Sequence, residues 1–226
     1  MLMREYTESL IVAVILALIL RFFVVSAYKI PTGSMIPTLK VGDFIFAYKL
    51  PYGIPVPFSE GSRINATLPE RGDVVVFRYP GNENVNYVKR VVGLPGDRIA
   101  IKNKKLFIND LEATYEPLAN DVIKDLPSAE YYAPYRETFG ESTHDVITNR
   151  SDEADFFGPV VVPPGQIFML GDNRDSSDDS RYWGTVPVKN LEGKVVIVWL
   201  SLDWMNLWAS ERLPSVRWDR FFKKVD

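Results

Sequence analysis

Three stretches of the chain carry residue types that could do chemistry together. Ser34 stands in Pro31-Thr-Gly-Ser-Met-Ile-Pro-Thr-Leu39, where a hydroxyl lies between a glycine and an apolar residue. A serine in such a Pro/Gly segment ordinarily serves the turn itself, so the peptide alone does not define a nucleophile. Lys89 stands in Tyr87-Val-Lys-Arg-Val-Val-Gly-Leu-Pro-Gly-Asp97. In an extended strand Lys89 projects with Tyr87 and Val91, and Val88, Arg90 and Val92 project to the other side. A lysine held among apolar groups loses part of its preference for charge and can act as a base, whereas on a solvated face it is only a surface cation. The third stretch, Gly171-Asp-Asn-Arg-Asp-Ser-Ser-Asp-Asp-Ser-Arg-Tyr-Trp-Gly184, is dense in hydrogen-bonding groups. Read as a calcium loop from Asp175 it fails, because Ser180 stands where glycine is required and Val186 where glutamate is. A solvated polar loop is the alternative.

What the chain lacks narrows the chemistry further. There is no cysteine, which removes thiol catalysis, disulfides and thiolate zinc sites together. His144 is the single histidine, and no HExxH pattern occurs, so neither a histidine-built metal site nor a Ser-His-Asp triad is expected. It sits in the polar run Glu141-Ser-Thr-His-Asp145 and reads as a solvated loop residue. A net charge of -3 gives no basic surface of the kind nucleic acid requires, so nucleic acid is not an expected partner.

The elements that must position these residues begin with an apolar N-terminus. Leu10 to Leu20 are uninterrupted apolar positions, and after Arg21 the run resumes to Tyr28. As a helix, residues 10 to 28 extend about 28 Å, close to the hydrocarbon thickness of a bilayer. Arg21, able to snorkel, is expected to mark the end of the span. A cleavable signal peptide is the rival reading, given Val25-Ser26-Ala27. Against it, Arg4, Glu5 and Glu8 leave the start without a net positive region, so a retained anchor is expected, and lipid is an expected partner.

Beyond Tyr28 the texture becomes β-rich, with short runs at Asp43 to Tyr48, Asp73 to Phe77, Tyr87 to Val92 and Val195 to Leu200, separated by Pro/Gly turn signals. Residues 110 to 158 are polar, acidic and weakly periodic, and read as an inserted subdomain or mobile loop. Pro51-Tyr-Gly-Ile-Pro-Val-Pro-Phe58 reads as an extended loop because of its prolines. The tail mixes Trp204, Trp208, Trp218, Phe221 and Phe222 with Arg217, Arg220, Lys223 and Lys224. That composition suits a membrane interface as well as ordinary packing beside a basic end.

The order of Pro-Thr-Gly-Ser-Met-x-Pro-Thr-Leu, Gly42-Asp43, Arg71-Gly-Asp-Val-Val-Val-Phe77, the Lys89 segment and the Gly171 to Gly184 segment resembles bacterial type I signal peptidases, the leader peptidases with a Ser/Lys dyad. The likeness covers residues 31 to 99 and 163 to 200. It implies Ser34 as nucleophile, Lys89 as general base, and Ser177 as a hydrogen-bond partner that aims the lysine. The backbone N–H of Ser34 and the hydroxyl of Thr32 would form the oxyanion hole; many relatives have serine where this chain has Thr32. Asp179 with Arg181, and Asp172 with Arg90, would be supporting ion pairs, and Met35 and Ile36 would border the substrate pockets. The implied substrates are signal peptides of exported preproteins with small residues before the cut. Neither metal nor organic cofactor is expected.

The expected architecture is mainly β: a transmembrane anchor over residues 1–28, then an antiparallel catalytic region over 29–226. Its core would comprise 29–100 and 160–226, and a smaller subdomain would be inserted at 101–159. The resemblance places the single-pass anchor in the inner (cytoplasmic) membrane and the catalytic region on the extracytoplasmic side. Two alternatives differ in what they require. A repressor-type self-cleaving Ser-Lys protein calls for a DNA-binding module before Ser34, and none is legible. A membrane-tethered binding or scaffold protein would use the serine, lysine and polar loop structurally.

Overall fold

A computed structural model describes residues 2–56, 59, 61–124, 126, 129–151, 155–203 and 214–225, with side chains from residue 6 onward. The chain starts as a helix, Leu2–Ile19, that widens into one π-helical turn, Leu20–Val24. Tyr6 to Val24 has a mean hydropathy of 2.3 and none of it is buried against the protein. Leu10, Val12, Ile15 and Leu18 are all more than half exposed on successive faces. A helix that is apolar all round and has no protein to pack against finds its partner in lipid.

The helical span ends earlier than the sequence reading placed it. Val25–Lys29 is a β-strand paired antiparallel with Asp43–Tyr48, in register from Val25↔Tyr48 to Lys29↔Phe44. The β-branched and aromatic residues here gain sheet partners for their backbone groups, which a further helical turn would have left at the water boundary. The helix end is closed by Lys49, whose ammonium donates to the carbonyls of Arg21 at 3.3 Å and Phe22 at 3.1 Å. The anchor is thereby joined to the second strand of the sheet.

The principal sheet runs in the order Val25–Lys29, Asp43–Tyr48, Leu191–Asp203, Val74–Tyr79, Asn82–Gly93, Gln166–Leu170 and Val186–Pro187, and its pairings are antiparallel. Its strands alternate between two cores. Val74 and Val76 join Ile30, Met35, Leu39 and Ile45 on one side, while Val75 and Phe77 join Val91, Ile167 and Met169 on the other. A second sheet of four strands contains Phe156–Val161, Arg98–Lys102, Lys105–Ile108 and Leu111–Glu112. It packs Ile99, Ile101 and Leu106 against Phe168.

The polar stretch after residue 110 is more ordered than its weak periodicity suggested. Thr114–Pro117, Tyr132–Phe139 and Ser142–Asn149 form a three-stranded antiparallel sheet. His144 is not in a solvated loop. It is a strand residue opposite Glu137, and its side chain is only 7% exposed. Its polar neighbours concealed this because the inward-facing residues here are themselves polar and paired. The Pro51 segment is also less extended than expected, with a helical turn at Leu50–Tyr52 and a short pairing of Ile54–Pro55 with Arg63–Ile64. Of the tail residues, Trp204 and Trp208 lie outside the described residues, whereas Trp218, Phe221 and Phe222 are exposed at the end of the chain.

Candidate active site

Ser34 and Lys89 meet although 55 residues separate them in the chain, with Lys89 Nζ 2.7 Å from Ser34 Oγ. Each is placed by a different kind of element. Ser34 sits in the turn after the first strand, held by a backbone bond from Ile36 N to Gly33 O and one from Leu39 N to Met35 O. Met35 and Leu39 anchor that turn in the core. Lys89 is in the middle of the sheet, opposite Val75 on the Val74–Tyr79 strand. The strand period sends it and its neighbour Arg90 to opposite faces.

Lys89 is 4% exposed. Burial among apolar residues pushes its amine down to about 8, while the carboxylates of Asp179, Asp178 and Asp172 work in the opposite direction. Tyr87 presents its ring 5.8 Å from the ammonium nitrogen. A lysine so placed is neutral in an appreciable fraction near neutral pH, which an exposed lysine is not.

The pair stands at the end of a cleft of about 330 Å³, bordered by Ile30, Met35, Val76, Val85, Tyr87 and Val88, with Thr32 and Asp178 at its polar margin. Met35 lines it, but Ile36 does not. Ile36 turns away to pack with Ile123 and Ile147 of the inserted region. Thr32 is exposed at the rim. Among the described residues no intramolecular hydrogen bond engages its hydroxyl or the backbone N–H of Ser34.

The polar loop after Leu170 backs the pair. Asn173 N donates to Ser34 O at 3.1 Å and its side-chain amide to Gly33 O at 3.2 Å. Asp179 accepts from Arg181 Nε at 2.8 Å and from Gly171 N at 3.1 Å, and caps the short helix Ser180–Trp183. Arg90 forms a two-pronged pair with Asp172, Nε to Oδ1 at 2.9 Å and Nη2 to Oδ2 at 2.8 Å, both residues being buried. Thr38 completes this cluster by donating to the Asp172 carboxylate.

Ser177 differs from expectation. Its hydroxyl is buried without a hydrogen-bond partner among the described residues, so the bond to Lys89 is not formed. It lies close to Gly171, where a Cβ would come within 2.2 Å of Ser177 Oγ and 2.5 Å of Ser34 O. A side chain at Gly171 would therefore meet both Ser34 and Ser177, and one of them would have to shift to admit it.

Several site-building residues were not picked out in the sequence. Arg174 and Glu137 form a buried ion pair, and Asn149 N donates to Asp175 at 2.6 Å. These bonds fasten the loop to the inserted sheet. The density of Asp, Asn and Arg between residues 172 and 181 was the available signal for Arg174, but nothing local marked Glu137.

Fold and site together define a class: a mainly β hydrolase with one apolar N-terminal helix and a serine and a buried lysine in contact at the end of an apolar cleft. Residues 3–200 match the family described as signal peptidase, peptidase S26. The chain belongs to that family, and with it to the membrane-associated serine peptidases. It is 45% identical to a signal peptidase I of Pseudomonas fluorescens over 88% of this chain and 73% of the relative. It is 35% identical to a signal peptidase I of Rickettsia typhi, over 98% of this chain and 94% of that one. A crystal structure of a signal peptidase I from Enterococcus faecalis aligns at 27% identity and a TM-score of 0.36, covering 57% of this chain and 97% of that one.

Proposed function

We propose that the chain is a membrane-bound endopeptidase that removes signal peptides from exported preproteins, cleaving after small residues in an Ala-x-Ala pattern. The observation that carries this reading is the 2.7 Å contact between Lys89 Nζ and Ser34 Oγ, with the lysine buried. Neutral Nζ accepts the Ser34 hydroxyl proton as Oγ forms a bond to the scissile carbonyl carbon. The carbonyl oxygen becomes an oxyanion, and Ser34 N–H and the Thr32 hydroxyl are the donors this reading assigns to it. Collapse of the tetrahedral species breaks the peptide C–N bond, and protonated Lys89 gives its proton to the leaving amine. A water that loses its proton to Lys89 then attacks the acyl-enzyme, and its hydrolysis returns Ser34 to its starting state.

Ser177 fits this cycle as a hydroxyl able to swing onto Lys89 once the amine is charged, since it is buried near Ser34 and has no hydrogen-bond partner among the described residues. The narrow apolar cleft suits small side chains on an extended peptide. The apolar helix supports a membrane-held enzyme, and in this reading the catalytic region works on the extracytoplasmic side, where the cleavage region of an inserted signal emerges. Asp172, Arg90, Asp179 and Arg181 position the loop rather than touch substrate.

The test compares detergent-solubilised wild type with Ser34→Ala and Lys89→Ala on a preprotein whose signal ends in Ala-x-Ala, with products read by mass spectrometry. Cleavage after the final alanine, lost in both folded variants, supports the proposal. Retention of activity by Lys89→Ala sinks the mechanism. A folded wild type that cuts no signal sequence would favour the binding or scaffold reading.

A further inference from the structure

The loop from Gly171 to Gly184 carries four aspartates, and three of them are bound into the fold. Asp172 pairs with Arg90. Asp175 accepts from Asn149 N and lies 3.8 Å from Lys104 Nζ. Asp179 is buried and accepts from Arg181 and from Gly171 N. Asp178 is the exception. It is exposed, and its carboxylate makes no hydrogen bond or ion pair with any other described residue. It borders the apolar cleft that holds Ser34 and Lys89, and it is the one carboxylate among the described residues that line that cleft.

On an open surface such a carboxylate is only a solvated charge, but here its position works against the reaction. Burial and Arg181 favour the neutral amine of Lys89, whereas Asp179, Asp178 and Asp172 favour the charged one. Asp179 and Asp172 already have their charge met by Arg181 and Arg90. That of Asp178 is open. The same charge adds to burial in raising the Tyr87 hydroxyl, so Asp178 acts on both cleft-facing side chains of this part of the strand. The other cation at the margin is Lys29, on the first strand, with its ammonium over the Phe44 ring. A peptide bound as an extended strand that lays its final alanine into the cleft turns the two adjoining side chains the other way, toward the rim. Asp178 is the negative charge which that rim presents beside the reacting pair.

We infer that Asp178 is a specificity residue: its carboxylate receives a cationic side chain from the substrate residue on one side or the other of the final alanine, so that lysine or arginine there is preferred over glutamate. This rests on the endopeptidase reading of Ser34 and Lys89. A charge at the rim of a binding site selects partners by attracting one sign and repelling the other. The bound cation also covers the open charge of Asp178 and so removes one influence that keeps Lys89 protonated. Recognition and the strength of the base are thereby coupled.

The experiment uses the full chain in a non-ionic detergent and signal-bearing peptides of the Ala-x-Ala type with alanine, lysine or glutamate just before or just after the final alanine. Lysine should exceed glutamate in kcat/KM by about fivefold at one of these positions, and the preference should fade in about 1 M salt. Asp178→Asn should abolish the preference and Asp178→Lys should turn it toward glutamate, each with an unchanged circular dichroism spectrum. In wild type the pH midpoint of kcat should lie lower for the lysine peptide than for the alanine peptide, and in Asp178→Asn the two midpoints should coincide, a signature that a packing role does not give. Equal cleavage of the lysine and glutamate peptides by wild type, or a preference that persists in Asp178→Asn, overturns this inference and leaves the endopeptidase reading standing. A folded wild type that cleaves none of the peptides removes both.

Discussion

Arg174 and Glu137 meet as a buried two-pronged ion pair, Nη1 to Oε2 at 2.6 Å and Nη2 to Oε1 at 2.7 Å, and so fasten the loop behind Ser34 to the inserted sheet. Tyr115 adds a hydroxyl bond to the same carboxylate. Arg174 Nε also donates to Gly171 O at 3.2 Å, at the crossing point of Ser34 and Ser177. A buried pair contributes little net stability over an apolar replacement, but breaking it leaves a charge stranded. Its value here is positional: it fixes a loop that has few apolar residues of its own to hold it.

Glu137→Gln is therefore expected to cost about 3–5 kcal/mol of unfolding free energy, measured by denaturant titration in detergent. Burial raises the Glu137 carboxyl, but Arg174 and His144 outweigh it and hold the group well below its ordinary 4.5. A carboxyl depressed on folding stabilises the protein fully above that ordinary value and loses the contribution as pH falls through its folded range. Wild type should thus weaken progressively in acid, and Glu137→Gln should show a shallower acid limb. Equal acid sensitivity in the two proteins would remove the pair from this role.

Gly171→Ala tests the convergence of the two serines directly. The new Cβ would stand 2.2 Å from Ser177 Oγ and 2.5 Å from Ser34 O, so one of them must move. A displacement of about 1 Å at a reacting group costs on the order of 10²-fold in rate. The expected result is a fall of that size in kcat with little change in KM, because the apolar cleft that holds the substrate is not touched. A variant with wild-type kcat would mean that the loop yields without moving Ser34.

The sequence made the two halves of the site visible for different reasons. Ser34 and Lys89 lie in segments whose backbone is dictated locally, a Pro/Gly turn and a β-branched strand. The apolar N-terminal run likewise announces itself by composition. Glu137 and His144 were hidden because alternation of apolar and polar residues is the strand signal, and here the inward positions are filled by a carboxylate and an imidazole facing each other across Glu137↔His144. Only the register of two neighbouring strands and Arg174 arriving from a distant loop make those positions interior. The helix end was misplaced by four residues for a similar reason: Val25 to Tyr28 suit a strand as well as a span, and it is pairing with Asp43–Tyr48 that decides.

Ser177→Ala separates a functional hydroxyl from a structural one. In the resting site the Ser177 hydroxyl is buried with no hydrogen-bond partner among the described residues, a state that costs about 1–3 kcal/mol. Removing it should leave stability unchanged or higher by about 1 kcal/mol. If the hydroxyl swings onto Lys89 when that amine becomes charged, kcat should fall by about tenfold or more. A stability loss with kcat intact would make Ser177 a packing residue.

Lys89 links activity and stability through one proton. Its amine lies at about 8 in the folded protein against 10.5 ordinarily, with burial as the leading cause. A base must be neutral to accept the Ser34 proton, so kcat/KM should rise with pH through about 8 and level off above it. At pH 7 roughly a tenth of the enzyme holds the neutral amine. The stability consequence has the opposite sense to that of a paired group. Between about 8 and 10.5 the unfolded chain binds the proton and the folded chain does not, so stability rises with pH across that window. Below about 8 the full penalty of burying a charged amine is present, about 3 kcal/mol. Lys89→Met fills the same volume without that penalty, and loses the bond to Ser34 Oγ. It should be inactive yet more stable than wild type by about 2 kcal/mol at pH 7, with the gain fading above about pH 10. Denaturant titrations of both proteins at pH 7 and pH 10 measure this, and a Lys89→Met variant less stable at pH 7 would mean that the lysine is held charged in the folded protein and cannot serve as the base.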